Sequence, residues 1–166
     1  VFKFALICPK QMKSTVDSQE PFGDDGDYEY LVMVGSRLLA AADYRFTLGG
    51  FGSDDWNLDV EYDMSSFIEG LPDLLADLRT KGAGEIDLYA QGVERVLKFS
   101  RVQDTVAIAC ISRTDWTPNP PIEYCDYVEL EVMLKRLATN FAHALHRLSS
   151  LIARLEPFSK WLREEV

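Results

Sequence analysis

The sequence predicts an α+β fold: an antiparallel sheet of about six strands, in a meander, packed against a long C-terminal amphipathic helix and one shorter helix. Three observations carry this expectation. Between residues 85 and 111, three strand-like runs follow one another with only hairpin-length turns between them, so no helical crossover is available to make them parallel. Leu71, Leu74, Leu75 and Leu78 recur at helical spacing. Leu130, Leu134, Leu137, Phe141, Leu145, Leu148, Ile152 and Leu155 continue that spacing over a far longer stretch.

Taken in order, residues 2–8 form an apolar run that ends before Pro9, too short for a signal-peptide core and suited to a first strand. Residues 13–27 are rich in Asp, Gly and Ser and predict a mobile loop. Residues 28–34 have the aromatic and β-branched composition of a second strand. Residues 37–42 either extend that strand or form a short helical turn. Tyr44, Phe46 and Leu48 alternate with Arg45 and Thr47 up to Gly49-Gly50, as in a half-buried strand. The most regular alternation is 55–62. There Trp56, Leu58, Val60 and Tyr62 point one way, and Asp55, Asn57, Asp59 and Glu61 the other.

Asp63 or Ser65 then caps a helix running to about Arg79, with Pro72 either in the first turn of a new helix or at a kink. The strands at 85–90, 94–100 and 102–111 follow, the last almost entirely apolar and so central in the sheet. Residues 117–121, Thr-Pro-Asn-Pro-Pro, form a stiff connector to the helix at 128–155, which Pro157 stops. With no internal repeat and no compositional boundary, the 166 residues are expected to form one domain.

A chain with 47% hydrophobic and 11% aromatic residues can bury a core and is not a disordered one. No apolar run approaches the roughly 18–20 residues that cross a bilayer. Three cysteines without a CxxC pair argue against a disulfide framework and for a cytoplasmic protein. Cys8 and Cys110, in apolar runs, are expected to be buried thiols.

The net charge is −10, from 17 basic and 27 acidic side chains. Such a chain repels nucleic acid and anionic membrane and attracts basic partners. The excess is uneven: residues 1–60 carry 5 basic and 10 acidic groups, 61–126 carry 6 and 12, and 127–166 carry 6 and 5.

Catalytic signatures are missing from the sequence. The only histidines, His143 and His146, lie three apart on the long helix, but His143 falls beside Arg136, Arg147 and Arg154 on an outward basic stripe, which disfavours a metal. Gly49-Gly50-Phe51-Gly52 matches neither phosphate-binding pattern and precedes Ser53-Asp54-Asp55, whose charge would repel phosphate. No cofactor or metal site is expected. Asp55, Asp59 and Glu61 could supply the two carboxylates of a hydrolase, but on one exposed strand face nothing would shift their pKa.

That leaves the acidic surface. Asp24, Asp25, Asp27 and Glu29 precede the second strand. Asp54, Asp55, Asp59, Glu61 and Asp63 line a strand, and Glu69, Asp73 and Asp77, at i, i+4 and i+8, line the helix after it. Of these, Asp55, Asp59, Glu61, Glu69, Asp73 and Asp77, with Trp56 as an aromatic anchor, are the seven residues of the expected partner-binding face, and Tyr62 and Trp116 are further aromatic candidates. A solubility surface is the plain alternative. Another is a homo-oligomer in which the basic stripe meets the acidic face of a second copy.

The order of elements resembles a family. The tryptophan strand 55–62, the leucine-rich helix 67–78, three strands, a Pro-rich connector and a C-terminal amphipathic helix resemble the small immunity proteins of bacterial polymorphic-toxin and contact-dependent inhibition systems. The WapI-like group is the nearest type, over residues 44–160. The resemblance rests on element order and carries no diagnostic motif, so no family binding residue transfers to this chain. It implies a non-enzymatic cytoplasmic protein that blocks one cognate toxin, often a basic nuclease. Surface carboxylates would then present to the toxin a field like that of its substrate phosphates.

Overall fold

The computed structural model describes residues 1–11 and 27–166. The α+β class holds, but the strands divide into two sheets. A two-stranded antiparallel sheet joins β1 (Lys3–Ile7) to β2 (Arg45–Gly49), with Ala5 opposite Thr47. A four-stranded antiparallel meander runs β3 (Ala83–Leu88), β4 (Arg95–Val102), β5 (Thr105–Ser112) and β6 (Ile122–Asp126) in sequence order. The single six-stranded meander is therefore corrected. Helices separate β1 from β2 and β2 from β3, so the first pair forms its own sheet.

Between β1 and β2 lies α1 (Tyr28–Ala41), where residues 28–34 were expected to be a strand. Local composition favours a strand, but two features select a helix. Asp27 caps it, its carboxylate accepting from the Glu29 and Tyr30 backbone N–H groups. Leu31, Gly35 and Leu39, four apart, form a single buried row. A Cβ on Gly35 would stand 2.7 Å from Leu145 Cδ2 on the long helix, so a larger residue there must push the Leu145 side chain aside. Apart from Asp27, the loop expected over 13–27, with Asp24 and Asp25, lies outside the described residues.

The second correction concerns residues 55–62, which form no strand. The burial alternation is real as far as Val60: Trp56, Leu58 and Val60 are buried and Asp55, Asn57 and Asp59 are exposed. Asn57, however, sits at φ 56°, which breaks an extended run. From Val60 to Met64 the chain winds into one π-helical turn that leads into α2 (Ser65–Thr80). Period-two burial needs only an extended chain over a core, not a ladder partner.

α2 carries Pro72 inside it and buries the leucine stripe as expected. It lies tight on β3: a Cβ on Gly70 would come 2.7 Å from Ile86 Cδ1. Aromatic contacts join the two sheets, with Phe2 against Phe99 at 6.0 Å and Phe4 and Phe46 both against Phe67 of α2. The expected helix at 128–155 is also corrected. α3 (Tyr127–Leu148) is capped by Asp126 and ends before Ser149, which is extended; the single turns α4 (Ser150–Ala153) and α5 (Phe158–Trp161) follow.

Cys8 is exposed rather than buried, with Arg147 Nη1 donating to its Sγ, while Cys110 is buried. No described helix is long and apolar enough to cross a membrane.

Candidate functional site

Asp59 is the residue around which the candidate site is built. As the cap of the π turn, its Oδ1 accepts from the backbone N–H groups of Glu61 at 2.7 Å and Tyr62 at 3.0 Å. Asp63 reaches back, its Oδ2 accepting from the Asp59 N–H at 2.7 Å. The two carboxylates thus satisfy three N–H groups that a helix start leaves unpaired, by the reciprocal logic of a capping box. The Tyr62 carbonyl is held in turn by the Ser65 and Ser66 hydroxyls, both at 2.9 Å. A turn tied at this many points fixes the direction of every side chain it carries.

The turn forms one wall of a recess of about 410 Å³. Met33 and Arg37 of α1 line it, as do Asp59, Glu61, Tyr62 and Asp63 of the turn, Ser65 and Glu69 at the start of α2, and Tyr89, Ala90 and Gln91 after β3. Arg37 Nε donates to Glu61 at 3.2 Å, and the Tyr89 hydroxyl donates to Glu69 Oε2 at 3.0 Å. Four carboxylates and one guanidinium therefore line a single hollow. The rings of Tyr62 and Tyr89 stand at its rim, with 60% and 58% exposure.

Two of these acids are perturbed. Burial pushes the Asp63 carboxyl above its usual range and the Asp59 charge adds to this, against the Asp59 N–H bond and Arg95. Burial likewise raises Glu69, with Glu29 and Asp27 adding to it and the Tyr89 bond opposing. Asp63 is only 5% exposed, and its Oδ1 has no hydrogen-bond partner among the described residues.

Arg95 lies on the core side of this wall, 8% exposed, its guanidinium 4.3 Å from the Trp56 ring and 3.7 Å from that of Trp116. Burial lowers its pKa, and the nearby Asp63 charge works the other way. Its Nε and Nη1 lack partners among the described residues, so stacking on two indoles is its main support.

Of the seven residues expected to face a partner, the structure gathers Asp59, Glu61 and Glu69 in this recess. Asp55 sits apart, 3.9 Å from Arg45, in a second hollow of about 360 Å³ that also touches Asp59. Trp56 is no surface anchor: it is 8% exposed, and its Nε1 donates to the Gly50 carbonyl. Asp73 is exposed and Asp77 pairs with Lys81 at 2.8 Å; neither lines the recess. The straight stripe Glu69, Asp73, Asp77 thus divides, because only its first member turns toward Tyr89.

Sequence reasoning placed Asp63 on the acidic surface and as a helix cap but outside the partner face, and it missed Arg37 and Tyr89. The Asp59-to-Asp63 spacing, four apart at a helix start, was the available signal. The other two come from α1 and from the turn after β3, which only folding brings together. Among the described residues no three His, Cys, Asp or Glu side chains converge to hold a metal ion. Comparison with protein-family models, with curated proteins and with solved structures finds no match to this chain.

Proposed function

We propose that this chain is an immunity-type protein that binds a basic protein, a cognate bacterial toxin of the nuclease type, through the acidic recess and the surface around it. The observation that carries the reading is the convergence of Asp59, Glu61, Asp63 and Glu69 in one hollow rimmed by exposed tyrosines. Desolvated carboxylates beside aromatic rings favour a cationic occupant, and complementary charge speeds its arrival. The net charge of −10 acts in the same direction at long range.

The test looks for a secreted toxin encoded beside this chain and, where one is found, uses it as the partner. Co-expression should rescue growth, and Glu61→Lys with Glu69→Lys should weaken binding by about tenfold or more in titration calorimetry. Asp59 is left intact because its carboxylate holds the turn. Unchanged affinity in that variant, or no toxin gene nearby, sinks the reading.

A second reading rests on the same hollow. Two acids with raised pKa in one recess are also what general acid chemistry uses. Hydrolysis of nitrophenyl glycosides by the wild type, lost in Glu69→Gln, would select it.

A further inference from the structure

We infer that the recess is a receptor for one arginine side chain, whose guanidinium enters between Tyr62 and Tyr89 toward Glu69 and Asp63. This rests on the proposed binding of a basic protein and names the group that the recess takes.

The charge balance comes first. Asp59, Glu61, Asp63 and Glu69 line the hollow against Arg37 alone, and Arg37 is engaged with Glu61. Asp59 spends one oxygen on two backbone N–H groups. Glu69 uses Oε2 for Tyr89, which leaves Oε1 to accept. Asp63 supplies an independent sign of a missing partner. It lines the recess, it is more than nine-tenths buried, and its Oδ1 accepts nothing among the described residues. That oxygen is closed to water, so the Asp63 charge acts on an incoming cation across the wall of the recess rather than through a direct hydrogen bond.

The rim decides between the two cationic side chains. Tyr62 and Tyr89 expose their rings and Met33 adds an apolar surface. A guanidinium is flat and weakly hydrated, stacks on such rings, and offers five donors in a plane to acceptors on different residues. An ammonium is a compact, strongly hydrated charge and would lose more water on entering. The core of this protein already holds a guanidinium against two aromatic rings that touch each other, Arg95 over Trp56 and Trp116.

N-acetyl-arginine methylamide, titrated into the ¹⁵N-labelled full chain, is the probe. Amide shifts should cluster at Tyr62, Asp63, Glu69 and Tyr89. The lysine counterpart should bind about fivefold more weakly or worse, and the neutral citrulline counterpart should leave the spectrum unmoved. Glu69→Gln, at a half-exposed position that tolerates the change, should weaken the arginine probe by about tenfold. Tyr62→Ala should weaken it by about threefold through the lost ring. No shift at these four amides, or equal binding of the lysine probe, overturns the inference. If the toxin binds through this face but the arginine probe does not, the wider reading stands and the arginine receptor falls. If the probe binds and the toxin ignores the charge reversals, the receptor stands without the toxin.

Discussion

Around the recess, carboxylates are drawn partly out of water and tied to backbone N–H groups, whereas Arg136, His143 and Arg147 along α3, and Arg154 after α4, stand exposed. Both regions are charge clusters in the sequence, and the fold treats them in opposite ways. On α3 the side chains lie on a helix whose other face is buried, so their charges stay solvated, apart from the bond that Arg147 donates to Cys8 Sγ. At the recess the charges belong to the turn and to the start of α2, where chain segments converge, so Asp63 and Glu69 are drawn out of water and their pKa rises. The lesson is that a charge cluster becomes a candidate site when the backbone needs it, not when charge is merely abundant.

The largest effect is expected where that dependence is strongest. Asp63→Ala removes the acceptor for the Asp59 N–H and an anion whose charge acts on Arg95, and should lower stability by about 2 kcal/mol in urea unfolding. A loss under about 0.5 kcal/mol would place Asp63 with the solvated charges of α3 and break the comparison.

A smaller effect, and one that sharpens the contrast, is the pH dependence of Glu69. Its folded pKa is raised above the ordinary value of about 4.3, so the folded state holds the proton more tightly than the unfolded state. Its contribution to stability is therefore greatest below that ordinary value and declines as pH rises through the raised one. The stability of wild type relative to Glu69→Gln should fall across that window, and an opposite slope would mean that Glu69 is stabilised as a carboxylate. The smallest effect belongs to α3. Arg136→Gln with Arg147→Gln should change stability by less than about 0.5 kcal/mol. Sedimentation at low and high salt checks the other possible role of this stripe. A low-salt dimer that the double variant abolishes would make the stripe an interface.

The elements legible in the sequence were those whose own periodicity suffices. The leucine stripes of α2 and α3 and the hairpins of the meander needed no distant partner. Residues 28–34 misled because Tyr, Leu and Val suit a strand locally, while a capping Asp27 and a crossing at Gly35 selected the helix. β6 was missed because its apolar Ile122 and Tyr124 point outward and are exposed, the reverse of the pattern that marks a strand. Three of the seven site residues were found together, since Asp59, Glu61 and Glu69 are near neighbours in sequence. Asp55 and Trp56 went elsewhere because residues 55–59 run over the core before the turn begins at Val60, and Asp73 and Asp77 because only Glu69 of the α2 stripe turns toward Tyr89.

By itself the sequence determined the α+β class, the apolar faces of α2 and α3, the strongly acidic balance and the region where that acidity concentrates. These follow from local periodicity and composition, which each segment carries with it. Only the tertiary structure decided that the strands form two sheets, that Trp56 stacks on Arg95, and that Asp63, Arg37 and Tyr89 meet in one recess. Those outcomes depend on contacts between segments 24 to 52 residues apart, and no local pattern encodes where such segments meet.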